Sequence, residues 1–131
     1  MSQASDYLEN AVLNHVFRNT ALSSPAAVYV GLFNGDPTDA GTGGTEVTTT
    51  IDATGRKEAT FGAPSDGVIT TSADVDFGDA DGDATVSHFG IFDAADSGNL
   101  LAHGSITGGS QSISTGNAVK FSAGNLTITL A

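Results

Sequence analysis

Cysteine is absent from the sequence. That removes disulfide staples, thiolate metal ligands and a cysteine nucleophile together, and leaves the redox compartment unread. Tryptophan is absent too, and aromatics make up only 7% of the chain, poor material for stacking on sugars or single strands. Positive charge is scarce, with 4 Lys and Arg against 15 Asp and Glu and a formal net charge of -11. A surface of that sign repels phosphate backbones and anionic headgroups, so neither nucleic acid nor membrane is an expected partner. No run approaches the roughly 18 apolar residues of a membrane span. The first residues, "MSQASDYLENAVLNHVF", lack a basic segment followed by an apolar stretch, so they do not read as a secretory signal and release in the cytosol is expected.

What is present suits one domain with one core: 131 residues with 17 Gly and abundant Ser and Thr, a composition of short strands and turns. One helix is legible. Asp6 is a good N-cap, and Glu9 three residues on makes a pair resembling a capping box. Leu8, Ala11, Val12, His15 and Val16 recur at helical spacing, and Leu13 and Phe17 widen the stripe. Asn19 and Thr20 end it and Pro25 prevents its return, so the pattern predicts a helix over 5–19. Beyond Pro25 the pattern is that of strands, predicted at 27–33, 56–61, 67–71, 73–77, 84–92, 99–106, 111–115, 117–121 and 124–130. Turn residues punctuate them every eight to twelve positions. The expectation is a mainly β fold, an antiparallel β-sandwich or barrel-like domain over 25–131, preceded by an N-terminal amphipathic helical arm over 1–24. No internal repeat suggests a β-helix or shaft.

Three stretches invite a functional reading. The first, "VYVGLFNGDPTDAGTGGTEV", is a strand followed by a glycine-rich loop. A phosphate loop needs a lysine and a following helix; here carboxylates stand where phosphate would sit, and "TEVTTT" favours strand. The segment 34–46 therefore reads as a flexible or partner-contacting connection. The second, "DVDFGDADGDA", gives Asp79, Asp81 and Asp83 the first spacings of a calcium loop. Glycine falls at the fourth position instead of the sixth and no glutamate stands at the twelfth, so these three are weak metal candidates and the turn reads as a solvated acidic one. Third, a hairpin joining 84–92 to 99–106 can place His88 across from His103, but zinc would need further ligands and none is nearby in sequence. His15 lies on the apolar face of the helix. "GxSxG" is absent and no serine triad signature is recognisable. No catalytic residue, cofactor or metal is expected, and the function reads as that of a surface.

"SDYLENAVLNHVFRNT", "VYVGLFNGDPTDAGTGGTEV", "ATVSHFGIFDAADSGNLLAHGSIT" and "AVKFSAGNLTITL" together resemble a family of small tailed-bacteriophage structural proteins, over about Asp6 to Leu130. Members commonly carry a tail-fibre or minor-tail label, and similar small proteins serve as head decorations. The resemblance implies a virion protein made in the host cytoplasm, with no catalytic residues. Compactness favours a head decoration (cement) protein as the first reading, with a tail-fibre or minor-tail component as the alternative. A host-surface glycan-binding module ranks third, since the lack of tryptophan counts against it. A helix of this length is marginal alone in water, so its stripe must be covered. Leu8, Val12, Leu13, Val16 and Phe17 are the expected assembly interface of a homo-oligomer, a trimer by analogy with decoration and fibre proteins, attached to capsid or tail proteins.

Overall fold

The computed structural model describes residues 2–48 and 55–130, with the side chain of Ser2 excepted. In chain order the elements are β1 (Ser2–Ala4), α1 (Asp6–Phe17), β2 (Val28–Asn34), β3 (Thr45–Glu46), β4 (Arg56–Ala59), β5 (Val68–Thr70), β6 (Val75–Asp79), β7 (Ala84–Val86), β8 (His88–Phe92), β9 (Leu100–Ser105), β10 (Gln111–Ile113), β11 (Ala118–Phe121) and β12 (Thr127–Thr129). The fold is mainly β, and every strand pair is antiparallel. One layer is a six-stranded sheet of order β1-β9-β8-β2-β3, with β4 following β3 along the same edge of β2. Three two-stranded ribbons, β7/β10, β6/β11 and β5/β12, form the other. β1 packs beside β12 and β4 beside β6, which closes both sides and gives the sandwich a barrel-like section.

Alternation decides what faces inward. Val30 and Leu32 of β2 pair with Ile91 and Phe89 of β8, and Ala102 of β9 pairs with Ile91. All are buried and meet Val75, Phe77, Val86, Val119 and Leu126 from the ribbon side. Phe121 bridges the layers, edge-on to Phe77 at 6.3 Å and to Phe89 at 6.2 Å between centroids, a geometry that aromatic quadrupoles favour.

Several boundaries differ from the sequence expectation for identifiable reasons. The run 84–92 is two strands, because the chain turns a corner at Ser87 and passes from the ribbon layer (β7) to the sheet (β8). β1 is additional to the expected strands, while β3 falls in the "TEVTTT" stretch that favours strand; each is two or three residues long and pairs with β9 or β2. Of "TEVTTT", Thr45 and Glu46 are strand, while Thr49 and Thr50 lie outside the described residues. The helix cap moves by one residue: Ser5, not Asp6, is the N-cap, its hydroxyl accepting from the Leu8 amide at 3.1 Å. Its own hydrogen goes to the Leu100 carbonyl, so the cap joins α1 to β9. Ser5→Ala removes both bonds at a buried position and is expected to cost about 2 kcal/mol by thermal denaturation. A loss below about 0.5 kcal/mol would mean that the cap is not the anchor.

The outer face of the sheet explains two glycines and a buried arginine. Gly31 and Gly90 stand opposite each other on β2 and β8. A Cβ on Gly31 would lie 2.7 Å from the Glu46 carboxylate, and one on Gly90 3.0 Å from both Leu100 and Phe92. The depression they leave admits a charged cluster. Arg56 Nε and Nη2 form a fork to Glu46 at 2.7 and 2.9 Å, and Nη1 donates to the carbonyls of Ala94 and Ser97 at 3.0 and 2.8 Å. The guanidinium lies 3.6 Å from the Phe92 ring centroid, and Phe92 stacks on Phe33 at 6.0 Å. One side chain thereby ties β3, β4 and the 93–99 loop together.

Candidate assembly surface

The root of α1 is held by the loop that separates β2 from β3. Within that loop Gly41 and Gly43 donate to the carbonyls of Thr38 and Pro37, and the Thr38 amide donates to Asp36 Oδ1 at 2.8 Å. Pro37 is fully buried. Outward, the Asp6 amide donates to the Asp39 carbonyl at 3.0 Å, and the Gly35 amide to Ser87 Oγ at 2.8 Å. His103 on β9 is the central clamp: its Nε2 donates to Asp39 Oδ1 at 2.7 Å, and its Nδ1 lies 3.4 Å from Asp36 Oδ1. Of the expectation of a flexible or partner-contacting connection over 34–46, the flexible part is therefore corrected. The segment, exposed along most of its length, has its own bonds and is fastened to β9, to the β7–β8 corner at Ser87 and to the helix.

On that root α1 lies against β9 with one side only. Leu8, Ala11 and Val12 are half-buried, and no residue of the helix is fully buried. The rest of the apolar stripe turns away from the domain: Leu13 is 53% exposed, Val16 62% and Phe17 77%. Of the five expected interface residues, two thus line the seam with the sheet and three form a free apolar face. After the helix, Thr20 donates to the Asn14 carbonyl and its own carbonyl meets His15 Nδ1 at 3.1 Å, so the chain doubles back alongside α1. A groove of about 530 Å³ opens between helix and returning segment, its lining including Tyr7, Leu8, Leu22, Leu101 and Asp93. The sequence pattern missed this groove because Leu101 and Asp93 are more than seventy residues from the helix. Leu22, a lone leucine in "TALSSP", was its one visible trace.

The other candidates are placed elsewhere. Asp79, Asp81 and Asp83 lie at the β6–β7 turn on the opposite layer. Asp83 Oδ1 accepts from the Thr115 amide at 3.1 Å and ties that turn to the 114–117 turn. No cluster of three ligating side chains occurs among the described residues. His88 is not opposite His103. The hairpin closes between Asp93 and Asn99, and the ladder shifts register between Ile91 and Phe92, so His88 faces Ser105 and His103 faces Gly90. His88 instead meets Ser87 Oγ at 2.8 Å. The geometry therefore supplies a rigid β body carrying one helix with an uncovered apolar face and an adjoining groove, which is chemistry for protein contact.

No curated protein matches the sequence. A family model described as "Podophage GP4 fiber I protein gp80" matches residues 3–129, from β1 through β12, and by that near-complete match the chain belongs to this podophage fibre protein family.

Proposed function

We propose that the protein is a non-enzymatic structural component of a phage tail fibre, made in the host cytoplasm and incorporated into the virion. The observation that carries this reading is the family match over 3–129, whose description names a fibre protein. It favours the tail-fibre alternative over the head-decoration reading, which rested on compactness and on likeness to small decoration proteins. A fibre can carry a compact module as well as a shaft, so a domain without repeats or heptads fits either place and does not outweigh the match.

On this reading residues 25–131 are the body and residues 1–24 the docking arm, rooted in the body through β1 and the Ser5 cap. Leu13, Val16 and Phe17 are its contact face, with Leu8 and Val12 positioning it. Covering a Leu or Phe side chain contributes roughly 1.5–3 kcal/mol, so three exposed apolar residues in a row can supply the centre of a subunit interface. The partners are further copies of the chain and neighbouring tail proteins, and threefold symmetry is the arrangement that analogy with fibre proteins suggests. Gold-labelled antibody against the folded domain tests the location on intact particles. Label at the tail fibres supports the reading, and label distributed over the capsid shell returns the decoration role.

A further inference from the structure

We propose that the C-terminal end of α1 is a docking tip for a second copy of this chain. Phe17 of one copy enters the groove between α1 and residues 22–25 of the other, and Arg18 pairs with Asp93 at that groove's rim. Phe17 is, among the described residues, the most exposed large apolar side chain at 77%, leaving on the order of 150 Å² of its surface in water. The groove beside the helix has about 530 Å³ of space and is lined by Tyr7, Leu8, Leu22 and Leu101 together with His15, Pro25 and Asp93, a size typical of small-molecule sites and room enough for an aromatic ring. Knob and hole are thus both present on one chain, the requirement for self-association.

Charge selects the occupant. Arg18 bonds only to the neutral Asn14 side chain, at 3.1 Å, and has no carboxylate partner among the described residues. In a chain with 15 acids and 4 bases, a cation left without an acid beside an exposed phenylalanine is a mark of an acidic partner. Asp93 is its counterpart. Its oxygens accept from the Asn99 amide at 2.7 Å and the Asn99 side chain at 2.9 Å, both neutral donors, so its charge too is unmatched among the described residues. The residual patch is smaller than the roughly 800 Å² per partner of a standard interface, so Phe17 and Arg18 are the anchor of the contact and polar surface around them its rim.

This deepens the docking role proposed for α1 and rests on it, but is read on the isolated chain of 131 residues, whereas fibre location is read on particles; either can fail alone. Sedimentation velocity over a concentration series should show the wild type associating. Phe17→Ser and Arg18→Glu should each raise the dissociation constant at least about tenfold with the circular dichroism spectrum unchanged. Mixing Arg18→Glu with Asp93→Lys should restore association that neither shows alone. A benzoylphenylalanine at position 17 should cross-link to Leu22 or Leu101 of another copy, a readout that needs no change at Asp93. A wild type monomeric throughout, association unaffected by Phe17→Ser, or cross-links outside the groove would each overturn the proposal.

Discussion

Arg56→Ala is expected to lower the unfolding free energy by about 3–5 kcal/mol and the melting temperature by roughly 10–20 °C. The effect exceeds what a surface ion pair contributes, because the Arg56 side chain is 8% exposed and Glu46 20%. Removing the guanidinium strands the Glu46 carboxylate over Gly31 and leaves the Ala94 and Ser97 carbonyls without their donor. It also uncovers the face of Phe92. Arg56→Lys should recover only a minor part, since an ammonium cannot make the fork to Glu46 and reach both carbonyls from one planar group. Adding Glu46→Ala to Arg56→Ala should cost much less than the sum of the single changes, because the stranded charge is then gone. Chemical denaturation of the wild type, the three single variants and the double variant measures this. A loss under about 1 kcal/mol for Arg56→Ala would place the pair among ordinary surface bridges.

Deleting Thr38 to Gly44 is expected to cost more than about 3 kcal/mol and to loosen α1 from the sheet. The deletion removes Asp39, the hydrogen-bond acceptor of His103, and a buried ring left without an acceptor costs about 1–3 kcal/mol. It also takes away the carbonyl that receives the Asp6 amide. Gly41 lies against Leu100, close enough that a Cβ there would be 3.3 Å from the leucine Cβ, so the loop's loss opens the Phe33, Phe92 and Leu100 cluster to water. Asp39→Asn should retain much of the stability, since the amide oxygen still accepts from His103. A deletion variant with wild-type melting behaviour would mean that the loop is an appendage after all.

These two cases show what the sequence could and could not convey. Patterns with their own period were legible: α1 from its recurring Leu8, Ala11, Val12 and Val16, and the strands from alternations such as Leu126, Ile128 and Leu130. The width of the helical stripe, Leu13 and Phe17 beside Leu8 and Val12, already suggested a face that one domain need not cover alone. Features made by distant partners were not legible. Glycine, threonine and aspartate in 35–44 have the composition of a free connection, and partners distant in sequence make it a fixed one: His103, 64 residues from Asp39, Ser87, 52 residues from Gly35, and the Asp6 amide. Arg56 opens a strand like any surface residue, yet its partners come from β3 and the 93–99 loop. Ser5 and Asp6 are adjacent and equally good caps, and the choice between them falls to the Leu100 carbonyl. A one-residue register shift in the β8–β9 hairpin decided which residues face the two histidines.

Cryo-electron microscopy of intact particles tests the central claim most directly. The account predicts density at the tail fibres into which the sandwich of β1–β12 fits, with α1 seated on a neighbouring subunit and Phe17 covered. The same domain found on the capsid lattice, or at the fibre with Leu13, Val16 and Phe17 facing solvent, would contradict it.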